Sequence, residues 1–448
     1  MLDLWRADGR EVAVVGLGRS GVAATRLLRA HGIAAYASDA GTGEALESAA
    51  AELRAAGAGV DVGRHDLARI GRAQAAVLSP GVPPEAPPVR AARAAGYRIR
   101  AEIDLGLEVL GGLPYVGITG TNGKSTVTAL VAHLLRVAGF DAEAAGNIGV
   151  PLCEVALRPV RPSWLSVEFS SFQLHDCPGV NPVAGILTNL APDHLDRYPT
   201  LEAYYADKAG LFANAGETSV WVTNADNPPS QEMVRAVAGR QLRFSVAGRA
   251  DGWFDRDGGQ LMLGGRALLA RGAFPLLGDH NVANALAAAL AVTAAGIPVE
   301  TLADGLRSFP ALTHRLEPVG SVHGVLWIND SKATNVASTT VAVAAMDRPF
   351  VLLLGGRHKG EPYTSLAPLL DGRARAVIAF GESAPIVERD LGGLVRRVEG
   401  GFDQVLGAAA ALAHPGDAVL LSPACSSYDM FRNYEERGRQ FRAWVESR

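Results

Sequence analysis

Only four lysines, Lys124, Lys208, Lys332 and Lys359, stand among the 42 basic residues of this 448-residue chain, and the rest are arginine. A lysine here marks a place where arginine would not serve. An ammonium is a compact point charge, and unlike a guanidinium it can lose its proton when buried. Lys124 lies in Gly120-Thr121-Asn122-Gly123-Lys124-Ser125-Thr126, after an apolar run and before a helical pattern. Such a turn aims backbone N–H groups and a helix N-terminus at an anion. Lys124 then reaches the outer phosphates of a nucleotide, and the hydroxyl of Ser125 or Thr126 holds Mg2+. The spacing is G-x2-G-K-[ST], with Ile118 where the longer phosphate-loop form has its first glycine. An ordinary strand-to-helix turn is the plainer alternative, and the combination of Gly, Lys and Ser argues against it.

Other polar groups fall at the ends of apolar runs. Glu168 closes one and is followed by Ser170-Ser-Phe-Gln173; Asp193-His194-Leu-Asp196 follows another. A carboxylate and an imidazole at the carboxyl ends of neighbouring parallel strands, beside a phosphate loop, suit Mg2+. For His194 the alternative is a loop residue capping local backbone. Three further loops, Asn329–Asn335, Gly355–Lys359 and Ser422–Tyr428, hold two of the four lysines and form a face for something anionic. Gly16-x-Gly18-x-x-Gly21, with Asp39 eighteen residues beyond the last glycine, matches a dinucleotide fingerprint. It is compatible with NAD, another nucleotide, or close helix–strand packing alone. A dehydrogenase has no need of a second phosphate loop, which weakens the NAD reading.

Strand–helix alternation must position these groups, and it implies parallel sheets covered on both faces. The expected fold class is α/β in three domains. Residues 1–102 form an N-terminal Rossmann-like domain with strands Glu11–Val15, Ile33–Ala37 and one ending at Val77-Leu78. Residues 103–311 form a central P-loop domain with strands 113–118, 163–168, 183–188 and 219–223 and an Ala-rich helix over 282–295. Residues 312–448 form a C-terminal Rossmann-like domain with strands 325–328, 350–354, 376–380 and 418–421.

A net charge of −4 makes no electrostatic case for nucleic acid or a membrane surface. Three cysteines, Cys153, Cys177 and Cys425, have neither disulfide-framework nor metal spacing, which suits a reducing cytoplasm. The opening residues lack a signal-peptide core, and the longest apolar run, around 285–295, is too short to span a bilayer.

Together these residues resemble the Mur ligases, ATP-dependent amide ligases of peptidoglycan synthesis, over the whole chain. Thr119-Gly-Thr-Asn-Gly-Lys-Ser-Thr126 is shared with all of them and with folylpolyglutamate synthetases. Glu168–Leu174, Asp193–Tyr198 and Leu421–Phe431 are similar to the branch that adds D-glutamate. Asp226-Asn-Pro-Pro229 lacks the arginine of the diaminopimelate-adding branch and lies in the middle block. The alternatives are an L-alanine-adding Mur ligase or a folylpolyglutamate synthetase-like enzyme. From other classes come an NAD-dependent dehydrogenase, resting only on Gly16–Gly21, and a non-catalytic nucleotide switch.

The resemblance implies that ATP phosphorylates the terminal carboxylate of UDP-N-acetylmuramoyl-L-alanine and that the amine of D-glutamate displaces the phosphate. It places the UDP substrate near Gly18, Arg19, Ser20, Asp39 and Asn147, although Ala40-Gly41 stands where such enzymes often have Thr-Arg. It places ATP on Gly120–Thr126 with its base and ribose near Asn281, Asn284, Arg315 and Asp330. D-Glutamate would meet Lys332, Thr334, Lys359, Ser427, Tyr428 and Tyr434. Two Mg2+ ions are implied, near Ser125, Glu168, His194 and Lys208, with Lys208 carbamylated by CO2. Lys124, Glu168, His194 and Lys208 would be catalytic. The plain alternative for Lys208 is a helix-surface residue paired with Glu202 or Asp207. The partners implied are small molecules only, with no nucleic acid or membrane, and the protein is expected to be a monomer.

Overall fold

The computed structural model describes residues 1–194 and 197–448. Its first sheet contains β1 (Val12–Val15), β2 (Ala35–Asp39), β3 (Gly59–Val62), β4 (Ala75–Leu78) and β5 (Ile99–Ala101), all parallel, in the order β3-β2-β1-β4-β5. Every residue of β1 is buried, as expected of a central parallel strand with both faces covered. The order reverses between β1 and β4. The loops after these two strands, Gly16–Gly21 and Ser79–Gly81, therefore diverge and leave a crevice.

The second sheet holds β6 (Tyr115–Thr119), β7 (Ala142–Gly146), β8 (Trp164–Glu168), β9 (Ala184–Leu187), β10 (Val220–Asn224), β11 (Arg240–Ser245), β12 (Gly252–Asp255), β13 (Gln260–Leu263) and β14 (Arg266–Ala270). Its order is β14-β13-β12-β11-β10-β9-β6-β8-β7. β6 lies between β9 and β8, so the three loops that follow these strands are neighbours. β6 begins two residues later than the sequence suggests, because Pro114 has no N–H to give the ladder. The antiparallel edge β12–β14 is not anticipated by the sequence. Its register shift between Leu261 and Met262 blurs the alternation that would have marked it.

The third sheet is β15-β16-β20-β17-β18-β19, made of β15 (Glu317–Val322), β16 (Val325–Asn329), β17 (Phe350–Gly355), β18 (Ala374–Phe380), β19 (Val395–Arg397) and β20 (Ala418–Leu421). Only β15 is antiparallel. β16, β20 and β17 stand side by side, which brings together the ends of the three polar loops noted in the sequence.

By internal packing the chain forms two compact units, Met1–Arg271 with Ala283–Arg307, and Gly272–Val282 with Ser308–Arg448. The first unit contains the first two sheets, whose buried apolar residues run as one core from Val12 and Leu28 through Leu105 and Leu152 to Leu187 and Trp221. The second unit has its own cores on the two faces of the third sheet, around Leu352 and Leu420 and around Trp327 and Phe441. Among the described residues, no helix is long and apolar enough to cross a membrane.

Candidate active site

The turn between β6 and the helix Lys124–Val137 is held from outside. Gly120 (φ 142°) and Gly123 (φ 83°) adopt backbone that side chains disfavour. A Cβ on Gly120 would lie 1.9 Å from Thr188 Oγ1, and one on Gly123 2.5 Å from Asn284 Oδ1. The loop is therefore wrapped by the segment after β9 and by Asn284. Asn189 accepts the Thr121 N–H on its carbonyl (2.9 Å) and the Asn122 N–H on Oδ1 (3.0 Å). Thr188 Oγ1 and Asn189 Nδ2 both donate to the Asn122 carbonyl, at 2.6 and 3.1 Å. The sequence reading missed this clamp; the adjacent Thr-Asn at the end of β9 was its only local sign.

Two of the four lysines meet on one atom. Lys124 Nζ donates to the carbonyls of Gly120 (2.9 Å) and Thr121 (2.8 Å). Lys208 Nζ donates to the same Gly120 carbonyl at 2.7 Å. Lys208 lies near the end of the helix Leu201–Ala209, which Thr200 caps by accepting the Ala203 N–H, and it is only 1% exposed. The surface alternative therefore fails, and Asp207 is paired with His175 Nδ1 at 2.7 Å instead. Burial, aided by the charge of Lys124, pulls the Lys208 ammonium down to about 7, although Asp193, Glu168 and Asp207 pull the other way. A large fraction of this side chain is then free amine at neutral pH.

Tyr204, one helical turn before Lys208, lies 4.6 Å under its Nζ and packs edge-on to His194 at 6.0 Å. The i, i+4 spacing in Tyr204-Tyr-Ala-Asp-Lys208 was available in the sequence. His194 sits at φ 54°, with its N–H on Asp193 Oδ1 and its ring 5.4 Å from that of Phe172. Leu195 and Asp196 of the same motif lie outside the described residues.

Glu168 ends β8, next to β6. Its Oε1 accepts from Asn147 Nδ2 at 2.8 Å, and its carbonyl accepts the Asn147 N–H at 2.9 Å. Its Oε2 is buried without a hydrogen-bond partner. A buried orphan carboxylate oxygen is costly unless a cation meets it. Among the described residues no three His, Cys, Asp or Glu side chains gather as a ready metal cage. Mg2+ takes one or two protein ligands and fills its shell with phosphate and water. The orphan oxygen of Glu168 could serve as one such ligand.

In the first sheet, Gly18, Arg19, Ser20 and Asp39 line a cavity of about 740 Å3 at the switch point. Asn147 does not line it; its partner is Glu168. Asp39 Oδ2 accepts the Leu17 N–H (2.7 Å) and Oδ1 the Gly41 N–H (2.8 Å). Its carboxylate thus closes the glycine loop.

In the second unit, Lys359 Nζ donates to Thr334 Oγ1 at 3.3 Å, joining two of the three loops. Lys332 Nζ lies 5.5 Å from the centre of the Tyr434 ring. Ser427 is buried, and its carbonyl accepts the N–H groups of Met430 and Phe431. Tyr428 is 64% exposed. Asp330 accepts from Ser422 Oγ (2.8 Å) and the Leu316 N–H (3.2 Å), and burial pushes its carboxyl up to about 7. Asn281 Nδ2 donates to the Leu277 carbonyl, and the Arg315 N–H to that of Leu312.

Arg437, which the sequence reading passed over, is wholly buried. It donates to Ser331 Oγ and carbonyl (3.0 and 2.8 Å) and to the Cys425 carbonyl (3.3 Å), tying the first loop to the third. Its sequence neighbours Glu435 and Glu436 suggest a solvated helix face, and nothing local marks it as internal.

Family models match along the chain: "Mur ligase MurD-like, N-terminal domain" over residues 10–101, "Mur ligase middle domain" over 118–292, and "Mur ligase, glutamate ligase domain" over 314–425. The UDP-N-acetylmuramoylalanine--D-glutamate ligase of Anaeromyxobacter dehalogenans is 43% identical, with 97% of both chains covered. The protein of that name from Salinibacter ruber is 40% identical, again over 97% of each. Among solved structures, MurF ligase from Thermotoga maritima in complex with ADP matches with a TM-score of 0.62 at 18% identity, over 92% of this chain and 95% of that one. A pseudomurein peptide ligase type C from Methanothermus fervidus matches at 0.59 and 19% identity, over 98% and 99%. At these identities the structural matches speak for the fold alone.

Proposed function

The chain belongs to the Mur ligase family, and from that premise we propose that it joins D-glutamate to UDP-N-acetylmuramoyl-L-alanine at the expense of ATP, as a cytoplasmic monomer in peptidoglycan precursor synthesis. The relatives that match nearly its whole length carry that activity in their names. Within the chain, the observation that carries the reading is the meeting of Lys124 and Lys208 on the Gly120 carbonyl, with Glu168, whose Oε2 is orphaned, near enough for its charge to act on Lys208.

A carboxylate is a poor electrophile, and phosphorylation gives it a leaving group. One oxygen of the acceptor carboxylate attacks the γ-phosphorus, and ADP departs. The amine of D-glutamate then attacks the acyl carbon; inorganic phosphate leaves with that oxygen, and the amine gives up a proton. The N–H groups of Gly120–Ser125 and the Lys124 ammonium would bind the outer phosphates and offset charge on the transferred group. Mg2+, held by Glu168 and Ser125, would supply further charge neutralisation.

Lys208 would attack CO2 as its free amine and lose a proton, becoming a carbamate anion on a long arm. With His194 it would complete a second Mg2+ site. Asn284, Asn281, Arg315 and Asp330 would take the base and ribose of ATP. Lys359, with Thr334 and Ser427, would hold the side-chain carboxylate of D-glutamate, bordered by Lys332, Tyr428 and Tyr434.

The test is phosphate release from ATP in the presence of UDP-N-acetylmuramoyl-L-alanine, with D-glutamate, L-glutamate and L-alanine supplied in turn. Release with D-glutamate alone is expected. Release with L-alanine in its place, or without the UDP acceptor, would point to one of the sister ligases.

A further inference from the structure

We propose that His65 recognises the uridine end of the acceptor nucleotide. This rests on the reading above that the cavity at the switch point of the first sheet takes that nucleotide. The imidazole lines the cavity together with Gly18, Arg19, Ser20 and Asp39. It is anchored from beneath, with Nδ1 2.8 Å from the Oγ of Ser38, a fully buried residue of β2. That bond fixes the ring and leaves Nε2 at its far edge, with no hydrogen-bond partner among the described residues.

The other polar side chains at the cavity are committed elsewhere. Both oxygens of Asp39 accept backbone N–H groups. Ser79 Oγ donates to the Gly16 carbonyl at 3.0 Å. Arg19 points outward, 70% exposed and 3.9 Å from Glu154. Ser20 belongs to the first turn of the helix Arg19–Ala30, on the side where the glycine loop would meet phosphate.

The sheet order sets the distance. His65 follows β3, two strands away from β1 and its glycine loop, or about 10 Å at the usual strand spacing. A nucleotide whose diphosphate sits at that loop carries its base over a comparable span. The chemistry also matches. Burial holds the His65 imidazole below its usual range, so the ring is neutral and presents one donor or one acceptor at Nε2. Uracil offers an N–H between two carbonyls and carries no charge, so it has no need of a cation.

Two variants separate this role from a structural one. Asn at this position can keep a polar atom near Nδ1, and with it the Ser38 contact, but nothing at Nε2. Gln reaches the Nε2 position. Binding of UDP would be measured by calorimetry with the phosphate loop saturated by a non-hydrolysable ATP analogue, alongside KM for each substrate. His65→Asn is expected to weaken UDP, and to raise KM for the UDP acceptor, about three- to ten-fold, the worth of one neutral hydrogen bond. His65→Gln should bind within about two-fold of the parent by the same measure, and neither should change KM for ATP or D-glutamate. UDP binding unchanged in His65→Asn, or equal rises in all three KM values, would overturn the assignment to uridine. A parent protein that binds no UDP under these conditions would instead remove the nucleotide from this cavity, and the proposal with it.

Discussion

Two glycine-rich turns in this chain, Gly16–Gly21 and Gly120–Ser125, each lead from a central parallel strand into a helix, and they are completed by opposite charges. At the first, the Asp39 carboxylate accepts the Leu17 N–H. At the second, the Lys124 ammonium and the Lys208 side-chain nitrogen both donate to the Gly120 carbonyl. The glycines differ as well. A Cβ on Gly21 would lie 1.8 Å from the Gly16 carbonyl oxygen, so that glycine serves helix–strand packing, whereas Gly120 and Gly123 make room for Thr188 and Asn284. A glycine fingerprint therefore establishes a tight turn and an N-terminal helix dipole, and the charged group that closes the turn decides its use. On the proposed reading, a carboxylate leaves a site for the acceptor nucleotide. The Lys124 ammonium would leave one that can stabilise a phosphoryl group in transit.

The strongest way to break this contrast is at Lys124. Lys124→Ala should lower turnover at least about a hundred-fold, as loss of a transition-state charge does, while binding of the UDP acceptor at the first turn stays unchanged by calorimetry. Lys124→Arg should not restore turnover, because a planar fork does not replace a point charge. Parallel loss of turnover and acceptor binding would mean that the two turns do not divide the work.

Lys208 sharpens the contrast further. Lys208→Ala and Lys208→Arg should both be nearly inactive in the phosphate-release assay, with millimolar acetate partly rescuing the alanine variant only. A fully active arginine variant would reduce Lys208 to simple charge.

A smaller effect belongs to Lys359. Lys359→Ala should raise KM for D-glutamate about ten-fold, the worth of a charge-assisted hydrogen bond, with KM for the UDP acceptor unchanged. No change for D-glutamate would take Lys359 out of the amino-acid site.

A separate effect is on stability, and its sign follows from linkage. Folding lowers the Lys208 ammonium from 10.5 to about 7, so the unfolded chain binds the extra proton between those values. The cost to the fold is complete below about pH 7, shrinks as pH rises, and vanishes above about 10.5. In CO2-free buffer Lys208→Met should therefore raise the melting temperature at pH 6, with the gain fading by pH 10. The gain is on the order of 2–3 kcal/mol once the lost bond to Gly120 is set against it. A melting temperature lowered at pH 6 would mean that Lys208 is not held at a cost.

Features carried by neighbouring residues were legible in the sequence. The phosphate loop declared itself through Gly, Lys and Ser in seven positions. The three polar loops of the last third lie side by side because each follows a parallel strand, and β16, β20 and β17 are adjacent. The rarity of lysine singled out Lys208 before its burial was known. Long-range pairings were not legible. Nothing near residue 120 says that its carbonyl receives a lysine side chain from 88 positions away. Arg437 reads as a surface residue beside two glutamates, yet it ties Ser331 to Cys425. The orphan oxygen of Glu168 and the free edge of His65 depend on which neighbours fail to reach them, and no local pattern records that. The β12–β14 edge escaped because a register shift breaks its alternation.

The most direct test of the account follows an oxygen atom. The acceptor UDP-N-acetylmuramoyl-L-alanine would be prepared with 18O in its terminal carboxylate and turned over with ATP and D-glutamate, and the inorganic phosphate analysed by mass spectrometry. The account predicts that each phosphate released carries one oxygen from that carboxylate, because the acyl carbon sheds it when the amine attacks. Phosphate free of 18O, with amide still formed, would show that the carboxylate is never phosphorylated and would contradict the role assigned to the Gly120–Ser125 turn.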